Sequence, residues 1–331
     1  MISPFTGGPA IPKLELRQRT FRNDSFEIWE HFYLCPATGL RFSSPEQDGL
    51  NLVQVHNLYR TRHKIPFPDE IRNIREQYGL SAARMSEMLD LGANSYRLYE
   101  QGEMPSLANA RLIRMMASPE NFSRLAEEKR ELFSASAWNR LQETLTAQRQ
   151  PSAMPAIVAY LWNFHLEANE FTGFVKPKLE KVAQFVLYFA QLQQPLKTRL
   201  NKLLFLADFL HFKRHGCSIS GANYRAIPFG PVPSHYHELF GILQNEGFVS
   251  IEEEAYEHGG HGERFKPGKI FDPAAFSPTE LACMEEVEAH FRAVRTRDLL
   301  DICHEEPAWL DNQEKRNLIS YQQYGFRLKA I

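Results

Sequence analysis

The chain has 331 residues, 43% of them hydrophobic and 24% charged. That apolar share can fill the cores of one large or two to three modest domains, and it excludes disorder along the whole chain. With 38 basic against 40 acidic residues the formal charge is −2, so whole-protein polyanion binding is excluded and any nucleic-acid surface is local. There is no fixed-period repeat and no low-complexity tract. Residues 1–66 read as short strands and loops: 26–33 is rich in aromatic and β-forming residues, and Pro36-Ala37-Thr38-Gly39 is a turn. Pro66 and Pro68 close that region and open a helical one. Several short helices fill 69–116, and 119–149 continues helical on Phe122, Leu125, Leu132, Phe133 and Leu141.

Gln150-Pro151-Ser152-Ala153-Met154-Pro155 has the composition of a linker, which makes 118–170 a helical connector. Two long helices are predicted at 179–193 and 196–214, parted by Pro195. A Pro/Gly-rich stretch at 227–233 precedes a helix at 236–244. The alternation over 248–256 meets 264–267 across His258-Gly259-Gly260-His261-Gly262 as a hairpin. Helices at 278–294 and 296–304 follow. The fold class is mainly α with small β elements, divided as 1–66, 67–117, 118–170 and 171–331.

Segment 69–116 carries the sharpest local signal. Ile71, Ile74 and Tyr78 share one helical face, and Gly79 ends that helix. Ser81 caps a second short helix whose apolar side is Ala82, Met85, Met88 and Leu89. Asp90-Leu91-Gly92 then turns into a third helix, 93–101, with Tyr96 and Tyr99 inward, and Ser106 caps a fourth. Two such helices about a tight turn can set the second into a DNA major groove. Asn94, Ser95 and Arg97 are the candidates for base reading, because Asn suits adenine and Arg suits guanine. Arg84, Ser106, Asn109 and Arg111 are candidates for phosphate contacts, with Arg72, Arg75 and Arg114 as further cations. A plain helical bundle with a solvated face is the alternative.

The run Gly79-Leu80-Ser81, Met88-Leu89, Leu91-Gly92 and Tyr99-Glu100-Gln101-Gly102-Glu103-Met104-Pro105 resembles the Xre/Cro-type helix-turn-helix of the MqsA/YgiT branch of antitoxins. Ala82 stands where that family often has a DNA-contacting glutamine, and Leu98 where a basic residue is common. The same branch carries a zinc region built on two C-x-x-C knuckles. Tyr33-Leu34-Cys35-Pro36-Ala37-Thr38-Gly39 resembles the second knuckle with one cysteine missing, and nothing matches the first. The spacings of His31, Cys35, His56 and His63 fit no common site, so no metal and no cofactor are expected. Lys13, Arg17, Arg19 and Arg22 form a basic stretch that either flanks DNA or is a solvated strand face.

In the last half, Leu200, Leu203, Leu204, Phe205 and Phe209 over-fill one helix face, which predicts a central, buried helix. Asp208 and His211 on it then need partners. The Pro/Gly cluster at 229–233 reads as a rigid bend that holds apolar groups near the surface, where a protein partner would meet them. The segments Leu200-Asn201-Lys202-Leu203-Leu204-Phe205-Leu206-Ala207-Asp208-Phe209, Tyr224-Arg225-Ala226-Ile227-Pro228-Phe229-Gly230-Pro231-Val232-Pro233 and Pro307-Ala308-Trp309 resemble the Panacea domain. The resemblance implies an antitoxin that neutralises a protein toxin by direct binding. Asp208, Tyr224, Phe229, Pro231, Val232, Pro233 and Trp309 are its candidate toxin-binding residues.

Asp208, His211, His235 and His237 are the best catalytic set available, but no nucleophile motif or phosphate loop accompanies them. Structural histidines are the simpler reading, and no enzyme is expected. Cys35, Cys217, Cys283 and Cys303 form no C-x-x-C pair, which suits a reducing compartment. The first residues show no signal peptide, and the apolar windows 185–192 and 203–210 are too short to span a bilayer. The expectation is a cytoplasmic antitoxin of a bacterial or phage pair, without membrane insertion, that binds its cognate toxin and, as a homodimer, its operator DNA. The alternatives are an adaptor presenting a target to a protease and a ligand-responsive transcription regulator.

Overall fold

A computed structural model describes residues 1–148, 160–162, 167–255 and 261–331. The expected linker at 150–155 and most of the Gly-rich turn after 255 lie outside the described residues. The protein is mainly helical with small antiparallel sheets. Its contacts separate two units: Met1–Arg19, Glu27–Gln54 and Ala156–Ile331 form the first, and Thr20–Phe26 with Val55–Pro155 the second. This grouping differs from the four successive segments read from the sequence, because residues 1–66 contribute to both units.

Strands β1 (Ile11–Phe21) and β2 (Asp24–Leu34) are joined by Arg22-Asn23, with Arg22 in the left-handed region at φ 53°. Strand β3 (Arg41–Phe42) adds to the end of β2, pairing Tyr33 with Phe42 and Leu34 with Arg41. Helix α1 (Pro45–His63) follows where the sequence reading placed strands and loops. Its apolar residues form no single stripe, and Gln54, Asn57 and Arg60 are among its buried positions, so the periodic signal of a helix is missing.

Within the first unit, Asn51 and Gln54 of α1 treat β2 as a neighbouring strand would. Asn51 accepts from His31 N (2.8 Å) and donates to His31 O (2.9 Å). Gln54 does the same with Trp29 N (2.9 Å) and Trp29 O (2.7 Å), and also accepts from Gln322 Nε2 at 2.9 Å. Two side-chain amides thus satisfy two alternate residues of a strand edge, where an open backbone would otherwise need water or another strand. Cutting the chain at residue 171 would strip Gln322 of that contact.

The second unit holds α2 (Pro68–Glu76), α3 (Ala82–Met88), α4 (Ser95–Glu100), α5 (Leu107–Met115), α6 (Pro119–Glu128) and α7 (Ala135–Gln148). Ile71, Ile74, Tyr78, Met85, Met88, Tyr96, Ile113, Phe122 and Leu141 share one core. Ser81, Ser106 and Ser118 each accept from the backbone N–H three residues on. Each such cap contributes about 1 kcal/mol. Tyr78 stacks on Phe122 at 3.7 Å between centroids, and its hydroxyl donates to Met116 O at 2.7 Å.

The last half of the chain contributes α8 (Leu179–Gln193), α9 (Lys197–His215), a hairpin of β4 (Tyr224–Ile227) and β5 (Gly230–Pro233), then α10 (Tyr236–Asn245). A second hairpin, β6 (Val249–Ala255) with β7 (His261–Pro267), is followed by α11 (Pro278–Phe291), α12 (Thr296–His304), α13 (Pro307–Leu310) and α14 (Tyr321–Tyr324). Helix α9 is buried on all sides, as its apolar surplus predicts: Arg199 through Phe212 are all buried. Arg199, Lys202, Asp208 and His211 survive there because each has hydrogen-bond partners, whereas Asn201 Oδ1 is buried without one among the described residues. Arg199, for example, donates to Phe291 O (2.5 Å) and Val294 O (2.6 Å) at the end of α11 and to Gln193 Oε1 (2.7 Å).

Candidate functional site

The stretch read as a rigid bend is a regular hairpin whose register runs from Tyr224 opposite Pro233 to Ile227 opposite Gly230. Pro228 and Phe229 form its tip. Three side chains of the first unit fasten it from different sides. Asp208, at the centre of α9, accepts from Ile219 N (2.8 Å), Ser220 N (2.9 Å), Ser220 Oγ (2.6 Å) and Tyr224 Oη (2.8 Å), holding the segment that leads into β4. Lys202, two turns earlier, donates to Pro231 O in β5 at 2.9 Å. Trp309 of α13 donates from Nε1 to Ile227 O at 2.7 Å and stacks on His304.

Gly230 is required where it stands. Its φ is +88°, and a Cβ there would lie 2.8 Å from Lys202 Cε. Burial pushes the Asp208 carboxyl up, against four hydrogen bonds that favour its charged form. Burial also brings the Lys202 ammonium down to about 8.

Phe229 at the tip is 66% exposed. Leu310 of α13 is also exposed, and α13 packs against both strands of the hairpin. Of the seven candidate toxin-binding residues, Asp208, Tyr224, Pro231, Val232, Pro233 and Trp309 are buried. In the structure these six build and fasten the hairpin, and Phe229 alone of the seven is presented to solvent. Sequence reasoning missed Lys202 and Leu310. A lysine on an otherwise apolar helix was the available signal for the first, and nothing marked the second.

The four residues weighed as a catalytic set are not brought together by hydrogen bonds. Asp208 is committed as described, and His211 donates from Nδ1 to Cys217 O (2.8 Å) and accepts on Nε2 from Thr279 Oγ1 (3.2 Å). His235 lies against Tyr160, and His237 is exposed. Burial pushes the His211 imidazole down to about 4. Its folded value therefore lies below the unfolded one, so its contribution to stability is complete above about pH 6.5 and is lost as pH falls towards 4, up to about 3 kcal/mol. Thermal melts between about pH 7 and 4.5 should show this loss, and His211→Asn should flatten it. Equal slopes for both proteins would refute the assignment.

In the second unit, α3 and α4 are joined by a turn in which Asp90 takes the left-handed conformation at φ 53°. Leu91 N donates to Ser86 O (2.9 Å), Ser95 N to Gly92 O (2.8 Å) and Tyr96 N to Ser86 Oγ (3.2 Å). The Tyr96 hydroxyl reaches Ile71 O at 2.8 Å, fixing α4 to α2. Helix α4 is shorter than the expected 93–101. Asn94 and Arg97 are exposed and Ser95 is half-buried.

The phosphate candidates divide. Arg111 and Arg72 are exposed, but Arg84 pairs with Glu87 at 2.7 Å. Ser106 caps α5, Asn109 donates to Tyr99 Oη (3.0 Å), and Arg114 donates to Lys64 O (3.1 Å). Arg75 is a correction. It grips buried Glu100 through two bonds of 2.6 and 3.1 Å and donates to Leu80 O at 2.8 Å, so it ties α2 to α4 and is not free for DNA. Arg75→Met should therefore destabilise the second unit by about 3 kcal/mol by stranding the Glu100 carboxylate, with much of the loss recovered in Arg75→Met/Glu100→Leu. Urea titration of the three proteins checks this, and a silent single substitution would refute it.

Around the knuckle-like turn, Gly39 N donates to Cys35 O at 2.8 Å with Gly39 at φ 71°. Hydroxyls of Ser3, Thr38 and Thr6 pull the Cys35 thiol below its usual range. His31 is held by Asn51, His63 by Asp24 (2.5 Å), and His56 packs edge-on against Phe21. Among the described residues, no three His, Cys, Asp or Glu side chains are grouped to hold a metal ion.

Residues 200–310 match the family described as antitoxin SocA-like, Panacea domain. The match begins in α9 and ends with α13, so it contains Lys202, Asp208, the whole β4–β5 hairpin and Trp309. Neither the curated proteins nor the solved structures yielded a match to the chain. No described helix is long and apolar enough to cross a membrane.

Proposed function

We propose that the protein is a cytoplasmic antitoxin that neutralises a cognate protein toxin by direct binding through the first unit, and that its second unit binds operator DNA as a homodimer to control transcription. The carrying observation is the coincidence of the antitoxin-like match with a hairpin that is held by Asp208, Lys202 and Trp309 and offers Phe229 at its tip. A large aromatic on a pre-formed support loses little entropy on binding and can anchor an interface. For DNA, the support is the turn between α3 and α4 together with the outward Asn94 and Arg97.

Co-expression with the adjacent reading frame tests the first part. Growth arrest by that frame alone, rescued by this chain, is expected, and arrest that persists overturns it. Mobility shift on the DNA upstream of the chain's own reading frame tests the second, with a scrambled duplex as control. Equal binding to both overturns operator recognition.

A further inference from the structure

We propose that Leu98 reads the C5-methyl group of a thymine in the major groove, which makes it a specificity-determining residue of α4. This rests on the DNA-binding reading above. Helix α4 turns Tyr96, Tyr99 and Glu100 inward and leaves Asn94, Arg97, Leu98 and Gln101 exposed. Leu98 is 39% exposed and takes no part in the core of its unit.

The groups around Leu98 are uncommitted. Asn94 caps α4 without lending its side chain, and Arg97, unlike Arg75 and Arg84, has no ion-pair partner among the described residues. An isobutyl group can neither donate nor accept a hydrogen bond. The thymine methyl is the apolar feature that a base pair displays in the major groove, so it is the feature Leu98 can recognise there.

Asn94 and Leu98 are one turn apart on the same face of the helix. Four residues rise about 6 Å, close to two base-pair steps of about 3.4 Å. A carboxamide suited to adenine N6 and N7 and a side chain suited to a methyl group thus lie within about two steps of each other, a combination that favours A·T pairs.

The test starts from a pool of random duplexes from which the full-length protein selects its preferred sequence. Each thymine of that sequence is then replaced singly by deoxyuridine, which keeps every hydrogen-bonding group and removes only the methyl. One replacement per half-site should weaken the wild type about fourfold, the equivalent of one buried methyl group. Leu98→Ala should bind the thymine duplex about that much more weakly and be indifferent to the replacement, whereas Leu98→Met should keep the preference.

Wild-type binding that ignores deoxyuridine at every thymine overturns the proposal while leaving DNA binding intact. So does a Leu98→Ala protein that loses affinity equally on both duplexes with a changed oligomeric state, which would make Leu98 a subunit contact. A pool that yields no enriched sequence overturns operator reading itself, and this inference with it.

Discussion

Replacing Asp208 with Ala is expected to cost the first unit about 3–5 kcal/mol, a large part of the total stability of an ordinary domain. The substitution leaves Ile219 N, Ser220 N, Ser220 Oγ and Tyr224 Oη without their acceptor in a site closed to water. Each stranded donor costs about 1–3 kcal/mol when no water can replace the lost oxygen. The segment before β4 loses its anchor, so protection against the toxin should disappear together with the fold. Asp208→Asn keeps one acceptor oxygen for the two backbone donors and can donate to the hydroxyls, so it should recover part of the loss. Urea denaturation of the full chain, followed by tryptophan fluorescence, measures both. An unchanged midpoint for Asp208→Ala would refute the role given to this carboxylate.

Phe229→Asp is expected to do the opposite: leave the fold alone and abolish protection. At a tip exposed to this degree, stability should move by no more than about 0.5 kcal/mol. A central aromatic anchor contributes about 2–4 kcal/mol to an interface, and a carboxylate in its place would be desolvated without a partner. Affinity for the toxin should then fall by about a hundredfold or more. Val232→Asp supplies the contrast. Val232 is buried in β5, so this change should also end protection, but by unfolding. Melting curves beside growth rescue separate the two cases. Full rescue by folded Phe229→Asp would remove the tip from the interface.

The helices of the second unit and the two long helices of the first were legible because their apolar residues recur at helical spacing and serine, proline and glycine punctuate them. Helix α1 was not, because it buries Gln54, Asn57 and Arg60 among its apolar residues and so shows no stripe. Arg75 illustrates a second limit: on the sequence it is a cation like Arg97, and only the folded chain brings Glu100 to it, whereas the Arg84–Glu87 pair lies at helical i,i+3 spacing.

What the sequence determined by itself is therefore local: where helices start and stop, that α9 is central, that glycine stands at 230, and that residues near 229 are apolar and rigid. Backbone propensity, capping and periodic burial act over a few residues, and a single chain records them directly. Which of the motif residues meet solvent was decided only in three dimensions. Asp208, Lys202 and Trp309, which stand up to about a hundred positions apart, hydrogen-bond Tyr224, Pro231 O and Ile227 O of the hairpin. In the folded chain six of the seven expected contact residues are buried while Phe229 is exposed.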